Sequence, residues 1–164
     1  MKKIILASQS VQRRLLMETL GLPFEVMPTH VDEKAITHAD AQMRAQLVAR
    51  AKAATVMELF KQKYPEREAV IIAADTYGFL DDQEFEKPAS KEEAIEMLTK
   101  LTSGTSIAIT GFCVIDTALD TTEMSVVVTK MRFRDLSASE ISKYVQENDV
   151  TSWSGGFSPA YDAG

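Results

Sequence analysis

What this chain of 164 residues has little of narrows it first. It holds one cysteine, Cys113, so no internal disulfide can form, which fits a reducing compartment. Cys113 sits in the apolar run Gly111-Phe112-Cys113-Val114-Ile115 and reads as a small core residue. The two histidines, His30 and His38, have no partner at a recognised metal-ligand spacing and read as surface residues. No window approaches the ~20 apolar residues that span a bilayer, so no membrane partner is expected. The apolar stretch Ile4-Ile5-Leu6-Ala7 follows two lysines but stops at Ser8, too short for a signal peptide. A cytoplasmic location is therefore expected. Positive charge is scarce too. Lys and Arg number 18 against 24 Asp and Glu, a net charge of -6, which argues against a nucleic-acid partner. No internal repeat, linker or low-complexity stretch is visible.

What remains is an ordinary globular balance, 45% hydrophobic and 26% charged, at a length that suits one domain over residues 1–164. Lys3 to Ala7 reads as a buried strand. Ser8-Gln9-Ser10 offers helix caps, and Leu15, Leu16 and Leu20 recur at helical spacing until Gly21. Phe24 to Met27 reads as a second strand, and about Asp40 to Lys63 as a long helix closed by Pro65. Ala69 to Ala74 is wholly apolar, as a central strand covered on both faces should be. Leu80 to Gln83 reads as a turn. Ser90 with Glu93, and Ser137 with Glu140, are capping boxes opening helices to Leu101 and about Glu147. Ser103-Gly104 ends the first of these. Ile107–Ile115 and Met124–Arg134 read as a hairpin about Asp120. The order predicts an α/β fold with a mixed, twisted sheet flanked by helices.

Several residues carry candidate chemistry. Ser8, Ser10, Arg13 and Arg14 fall at the first strand-to-helix turn. Helix N-terminal amides with hydroxyls and arginines can cradle a phosphate, or the same residues cap a helix with solvated arginines. The glycines of a Walker loop are missing. Asp32-Glu33 is either a metal-binding pair or a solvated turn. Asp75, with Thr76, is expected at the carboxyl end of the central strand, where ligands of α/β proteins bind. A carboxylate there can hold Mg²⁺ or accept a proton from attacking water, unless it caps the next turn. Lys87, stiffened by Pro88, can neutralise phosphate or lie on the surface. Lys52 has small neighbours that would let a substrate approach, yet alone it is an ordinary helix lysine. Trp153 and Phe157 read as packing in preference to base stacking.

Together these segments resemble the Maf family, which is related in fold to the inosine triphosphate pyrophosphatases and linked to inhibition of septum formation. The family's opening Leu-Ala-Ser-x-Ser-Pro-Arg-Arg is matched by Leu6-Ala7-Ser8-Gln9-Ser10-Val11-Gln12-Arg13. Its Asp-Glu pair is Asp32-Glu33, and its Leu-Ala-x-x-Lys-Ala is Val48 to Ala53 with Lys52. Its Ala-Asp-Thr is Ala74-Asp75-Thr76, and its Gly-Lys-Pro is Glu86-Lys87-Pro88. Ser103-Gly104, Thr110-Gly111 and Leu136 to Tyr144 match in the same order. The departures are Val11, Gln12 and Glu86. Relative to the family pattern the sequence stops at Gly164, diverging at Ser158-Pro159-Ala160, before the usual last strand and helix.

The resemblance implies two lobes around a central cleft and hydrolysis of a nucleoside triphosphate to its monophosphate and pyrophosphate. The implied cofactor is a divalent cation, Mg²⁺, Mn²⁺ or Co²⁺. Asp75 would be the catalytic carboxylate, with Glu33 assisting at the metal. Arg13, Lys52 and Lys87 would bind the triphosphate, beside Ser8, Ser10 and Thr76. Pyrimidine or modified bases come first and 7-methyl-GTP second. A homodimer is consistent with the family. The alternative function is a catalytically impaired nucleotide-binding regulator of cell division.

Overall fold

The computed structural model of the chain describes residues 2–80, 83–102 and 104–158. It contains strands β1 (Lys3–Leu6), β2 (Glu25–Val26), β3 (Ala69–Leu80), β4 (Gln83–Phe85), β5 (Thr105–Asp116) and β6 (Thr121–Arg132). The helices are α1 (Val11–Thr19), α2 (Ala41–Lys63), α3 (Lys91–Leu101) and α4 (Ala138–Glu147). The strands form one mixed sheet in the order β2-β1-β3-β5-β6, with β4 paired to β3. β1 runs parallel to both β2 and β3, whereas β3 and β4 are antiparallel. This is the mixed α/β sheet the sequence predicts. No helix among the described residues is long and apolar enough to cross a membrane.

The helix boundaries follow local chemistry. Ser10, Asp40, Ser90 and Ser137 each cap a helix by accepting from a backbone N–H of its first turn. At α4 the box is reciprocal, since the Glu140 carboxylate also accepts from the Ser137 N–H. At α3 it is not: Glu93 accepts from the Ala89 N–H instead. Gly21, at φ 65°, takes the left-handed conformation just past α1.

β3 departs from expectation. The apolar run ends at Ala74, yet the strand continues through Asp75 and Thr76 to Leu80. Its last residues gain a partner that the sequence did not announce, the short β4, with Gly78 opposite Phe85 and Leu80 opposite Gln83. Of the expected turn, Asp81 and Asp82 lie outside the described residues, as do Ser103, Pro159 and Ala160.

The chain folds as two compact units, Met1–Thr76 with Thr110–Val127, and Tyr77–Ile109 with Val128–Gly164. In the first, α2 packs on the sheet through Ala49, Ala53, Val56 and Phe60 against Ile5, Ala69, Ile71, Ala73, Cys113 and Ile115. The helix comes unusually close. A Cβ built on Gly111 of β5 would lie 2.3 Å from the Ala45 carbonyl carbon and 2.4 Å from the Gln46 nitrogen. Glycine is required there because the neighbour is backbone, which cannot step aside. In the second unit, Leu80, Phe85, Leu98, Leu101, Ile141 and Val145 make the core, with Phe133, Trp153 and Phe157 packed against it. Phe133 and Phe157 meet edge to face, ring centres 4.9 Å apart. Packing, the preferred reading of Trp153 and Phe157, is what their surroundings show.

Candidate active site

The pleat of β3 positions the site. Successive strand residues point to opposite faces. Asp75 shares a face with Ala69, Ile71 and Ala73, which pack in one cluster with α2. Thr76 meets Arg13 of α1. Asp75 is therefore interior to its own strand, where the sequence placed it at the carboxyl end. It still lies beyond the end of a parallel neighbour, for β1 stops at Leu6, opposite Ile72. The chain then turns from β1 into α1 and brings Ser8, Ser10 and Arg13 alongside. The edge that sequence reasoning sought belongs to β1.

Lys52 comes from the buried face of α2, in line with Ala45, Val48, Ala49, Ala53 and Val56. Its ammonium lies 2.7 Å from Asp75 Oδ1 and 2.8 Å from Glu33 Oε1. Asp75 is 5% exposed and Lys52 8%. One lysine thus joins two carboxylates, a use of its three donors that offsets the cost of burying its charge. The second oxygen, Asp75 Oδ2, is buried with no hydrogen-bond partner. A buried carboxylate oxygen without a donor is costly, and calls for a ligand at that atom.

The acidic pair divides its labour. Asp32 caps a short 3-10 turn, Glu33–Ala35, by accepting from the Ala35 N–H at 3.3 Å. That turn aims Glu33 at Lys52. Arg13 donates to Thr76 Oγ1 at 3.3 Å, and Thr76 Oγ1 lies 3.1 Å from Thr110 Oγ1. Burial pushes the Arg13 guanidinium below its ordinary pKa, opposed by the negative charges of Asp75 and then Glu33. Ser10 Oγ accepts from the Arg13 N–H, and Ser8 Oγ from the Ser10 N–H, so both serines order the turn into α1. Arg14 points elsewhere, to Glu18 at 3.0 Å.

The first unit therefore gathers Asp75, Glu33, Lys52, Arg13, Thr76, Ser8 and Ser10. Lys87 belongs to the second unit. There it is exposed, before the buried Pro88, in a loop whose Glu86 carbonyl accepts from the Gly155 N–H at 3.1 Å. His38 Nδ1 accepts from the Asp40 N–H on the surface. Thr110 was missed as a side-chain partner. The one signal for it was its place beside Gly111.

For a divalent cation the available donors are Asp75 Oδ2 and Glu33. No group of three or more His, Cys, Asp or Glu comes together among the described residues. Mg²⁺ takes one or two carboxylates and completes its shell with water and substrate phosphates. The two carboxylates fit that pattern.

Fold and site together define an α/β protein in which a buried lysine bridges a buried aspartate and an exposed glutamate, beside a helix N-terminus that carries an arginine. The chain belongs to the family described as Maf-like protein, whose profile matches residues 3–160. A dTTP/UTP pyrophosphatase of Desulforamulus reducens is 33% identical, over 96% of this chain and 79% of its own. A nucleoside triphosphate pyrophosphatase of Trichodesmium erythraeum is 31% identical, over 94% of this chain and 76% of its own. Among solved structures, the Staphylococcus aureus Ham1 protein aligns with a TM-score of 0.47 and 16% identity over 82% of this chain and 73% of that one, a likeness too slight to argue from.

Proposed function

We propose that this protein hydrolyses nucleoside triphosphates between the α- and β-phosphates, releasing the monophosphate and pyrophosphate, with a divalent cation at Asp75 and Glu33. The observation that carries the reading is the state of Asp75: one oxygen held by Lys52, the other buried and unpartnered. The names of the curated relatives support the substrate class.

Phosphoryl chemistry needs positioning and charge neutralisation more than covalent help from the protein. Arg13, braced by Thr76, offers a fork of N–H donors to phosphate oxygens. The α1 N-terminus adds the partial positive charge of its amides, with Ser8 and Ser10 fixing the turn. Lys52 holds Asp75 by Oδ1, so that Oδ2, through its two lone pairs, would both face a bound cation and accept a proton from the attacking water. The water oxygen bonds to phosphorus, the α–β bridging bond breaks, and pyrophosphate departs with the bridging oxygen. A divalent cation, when bound at Asp75 and Glu33, lowers the pKa of water and spreads the phosphate charge.

Pyrimidine triphosphates are the first substrates proposed, in line with the Desulforamulus reducens relative, and 7-methyl-GTP the second. The test is pyrophosphate release from a panel of ordinary and modified nucleoside triphosphates with Mg²⁺, Mn²⁺ and Co²⁺. Turnover is expected, best with a pyrimidine. Folded protein that releases no pyrophosphate from any nucleotide would sink the reading.

A further inference from the structure

Lys52 touches both carboxylates that a metal would need. An ion pair that served only stability would leave Asp75 satisfied, yet Oδ2 stays without a donor. The charges also balance. Asp75 and Glu33 stand against Lys52 and Arg13, and Arg13 is close enough for both carboxylates to act on it. A dication arriving alone meets a cluster with no net charge and an ammonium already 2.7 Å from Asp75. Its gain there is small, while its cost of shedding water is large. A triphosphate changes both terms, since it brings several negative charges and its own oxygen ligands.

From this, and resting on the pyrophosphatase reading, we infer that Lys52 is a resident counter-cation that keeps Asp75 and Glu33 from retaining a divalent ion until a nucleotide arrives. Metal enters with the triphosphate. Lys52 then has two duties of opposite sign: it orients Asp75 for the reaction and weakens metal binding in the free protein. A lysine that only contacts phosphate would have no effect on metal affinity in the absence of nucleotide. A lysine that only props up the site would, once removed, weaken it.

The experiment titrates Mn²⁺ into nucleotide-free protein and follows loss of the free-ion signal by electron paramagnetic resonance. Wild type is compared with Lys52→Met and with Lys52→Gln, which keeps a hydrogen-bond donor without the charge. Circular dichroism melts report folding. Both variants are expected to bind Mn²⁺ at least ~10-fold more tightly than wild type, about 1.4 kcal/mol. Unchanged or weaker binding in the folded variants overturns the inference. Should neither variant fold, wild type decides: Mn²⁺ retained through gel filtration without nucleotide overturns it, and Mn²⁺ lost supports it. Calorimetry with an α,β-methylene triphosphate supplies the separate arm. Wild type should bind the analogue at least ~10-fold more tightly with Mn²⁺ than without. Equal binding overturns the inference, whereas no binding in either condition removes the pyrophosphatase reading itself.

Discussion

The two units bury different things. The first puts a lysine and an aspartate at 8% and 5% exposure in a core that also holds Phe60, Ile5 and Ile71, with alanines and a glycine where helix and strand meet. Among the described residues of the second, the buried side chains are leucines, isoleucine, valines, phenylalanine, tyrosine, alanine, proline and serines, with no charge. Small residues in the first let helix and strand backbones approach until Lys52 can reach Asp75. In the second, leucines and Phe85 fill volume, and among the described residues its core holds no ion pair that needs such an approach. Close packing of small residues is intolerant of added atoms, while a core of flexible side chains can yield. The proposed chemistry sits in the intolerant unit, and that is where substitutions should cost most.

The largest expected effect is on activity. Asp75→Asn keeps the shape of the side chain and leaves Lys52 paired with Glu33, but removes the proton acceptor. Pyrophosphate release should fall about 10³-fold. A loss under tenfold would move the chemistry away from Asp75. Next comes Gly111→Ala. With backbone atoms 2.3–2.4 Å from the new Cβ, α2 must move, at a cost of about 3 kcal/mol in urea unfolding. Moving α2 also parts Lys52 from Asp75, so turnover should drop as well. The counterpart in the second unit is Gly104→Ala, where among the described residues the new Cβ meets only Leu80 Cδ1, at 3.0 Å. A side-chain end can rotate away, and the cost should stay under about 1 kcal/mol. Equal costs at the two glycines would end the contrast between the units.

Much of this contrast was legible in the sequence, unevenly. Caps and hydrophobic spacing are local, and so Ser10, Asp40, Ser90 and Ser137 mark helix starts that the structure keeps. The extension of β3 was hidden, because Asp75 and Thr76 break the apolar run and the pairing that carries the strand onward comes from β4. The pairing of Lys52 with Asp75 was half visible. A lysine among small residues and an acid after an apolar strand are each ordinary. What joins them is that Lys52 falls on the buried stripe of α2, and only the approach at Gly111 brings that stripe within hydrogen-bond reach. The fork in the acidic pair, Asp32 to a cap and Glu33 to the lysine, turns on a single 3-10 turn that no spacing rule announces.

Phe157→Ala sharpens the comparison from the second unit. Phe157 is half-buried and edge-on to Phe133. Its removal should cost about 2 kcal/mol, less than the ~3–5 of a fully buried phenylalanine. kcat and KM should not change in the folded fraction, as expected of a packing residue. A raised KM at unchanged stability would restore the base-stacking reading.

The smallest effect expected is electrostatic and belongs to the surface of the second unit. The Glu140 carboxylate accepts from the Ser137 N–H and hydroxyl, each at 2.8 Å, and from Arg134 at 2.9 Å. The backbone donor chiefly, then the hydroxyl and the guanidinium, hold its pKa down from 4.5 to about 2. A depressed folded-state value means that the unfolded chain takes up the proton first as pH falls. The stabilising contribution is therefore complete above about pH 4.5 and is lost as pH drops through about 2. Glu140→Gln can still hydrogen-bond but carries no charge. Its Tm should lie slightly below wild type at pH 6, with the gap closing between pH 4.5 and 2. The group is exposed, so solvent screens most of the effect and the gap should be the smallest of those compared. A gap that stays constant across that range would show that the box at α4 works by hydrogen-bond geometry alone.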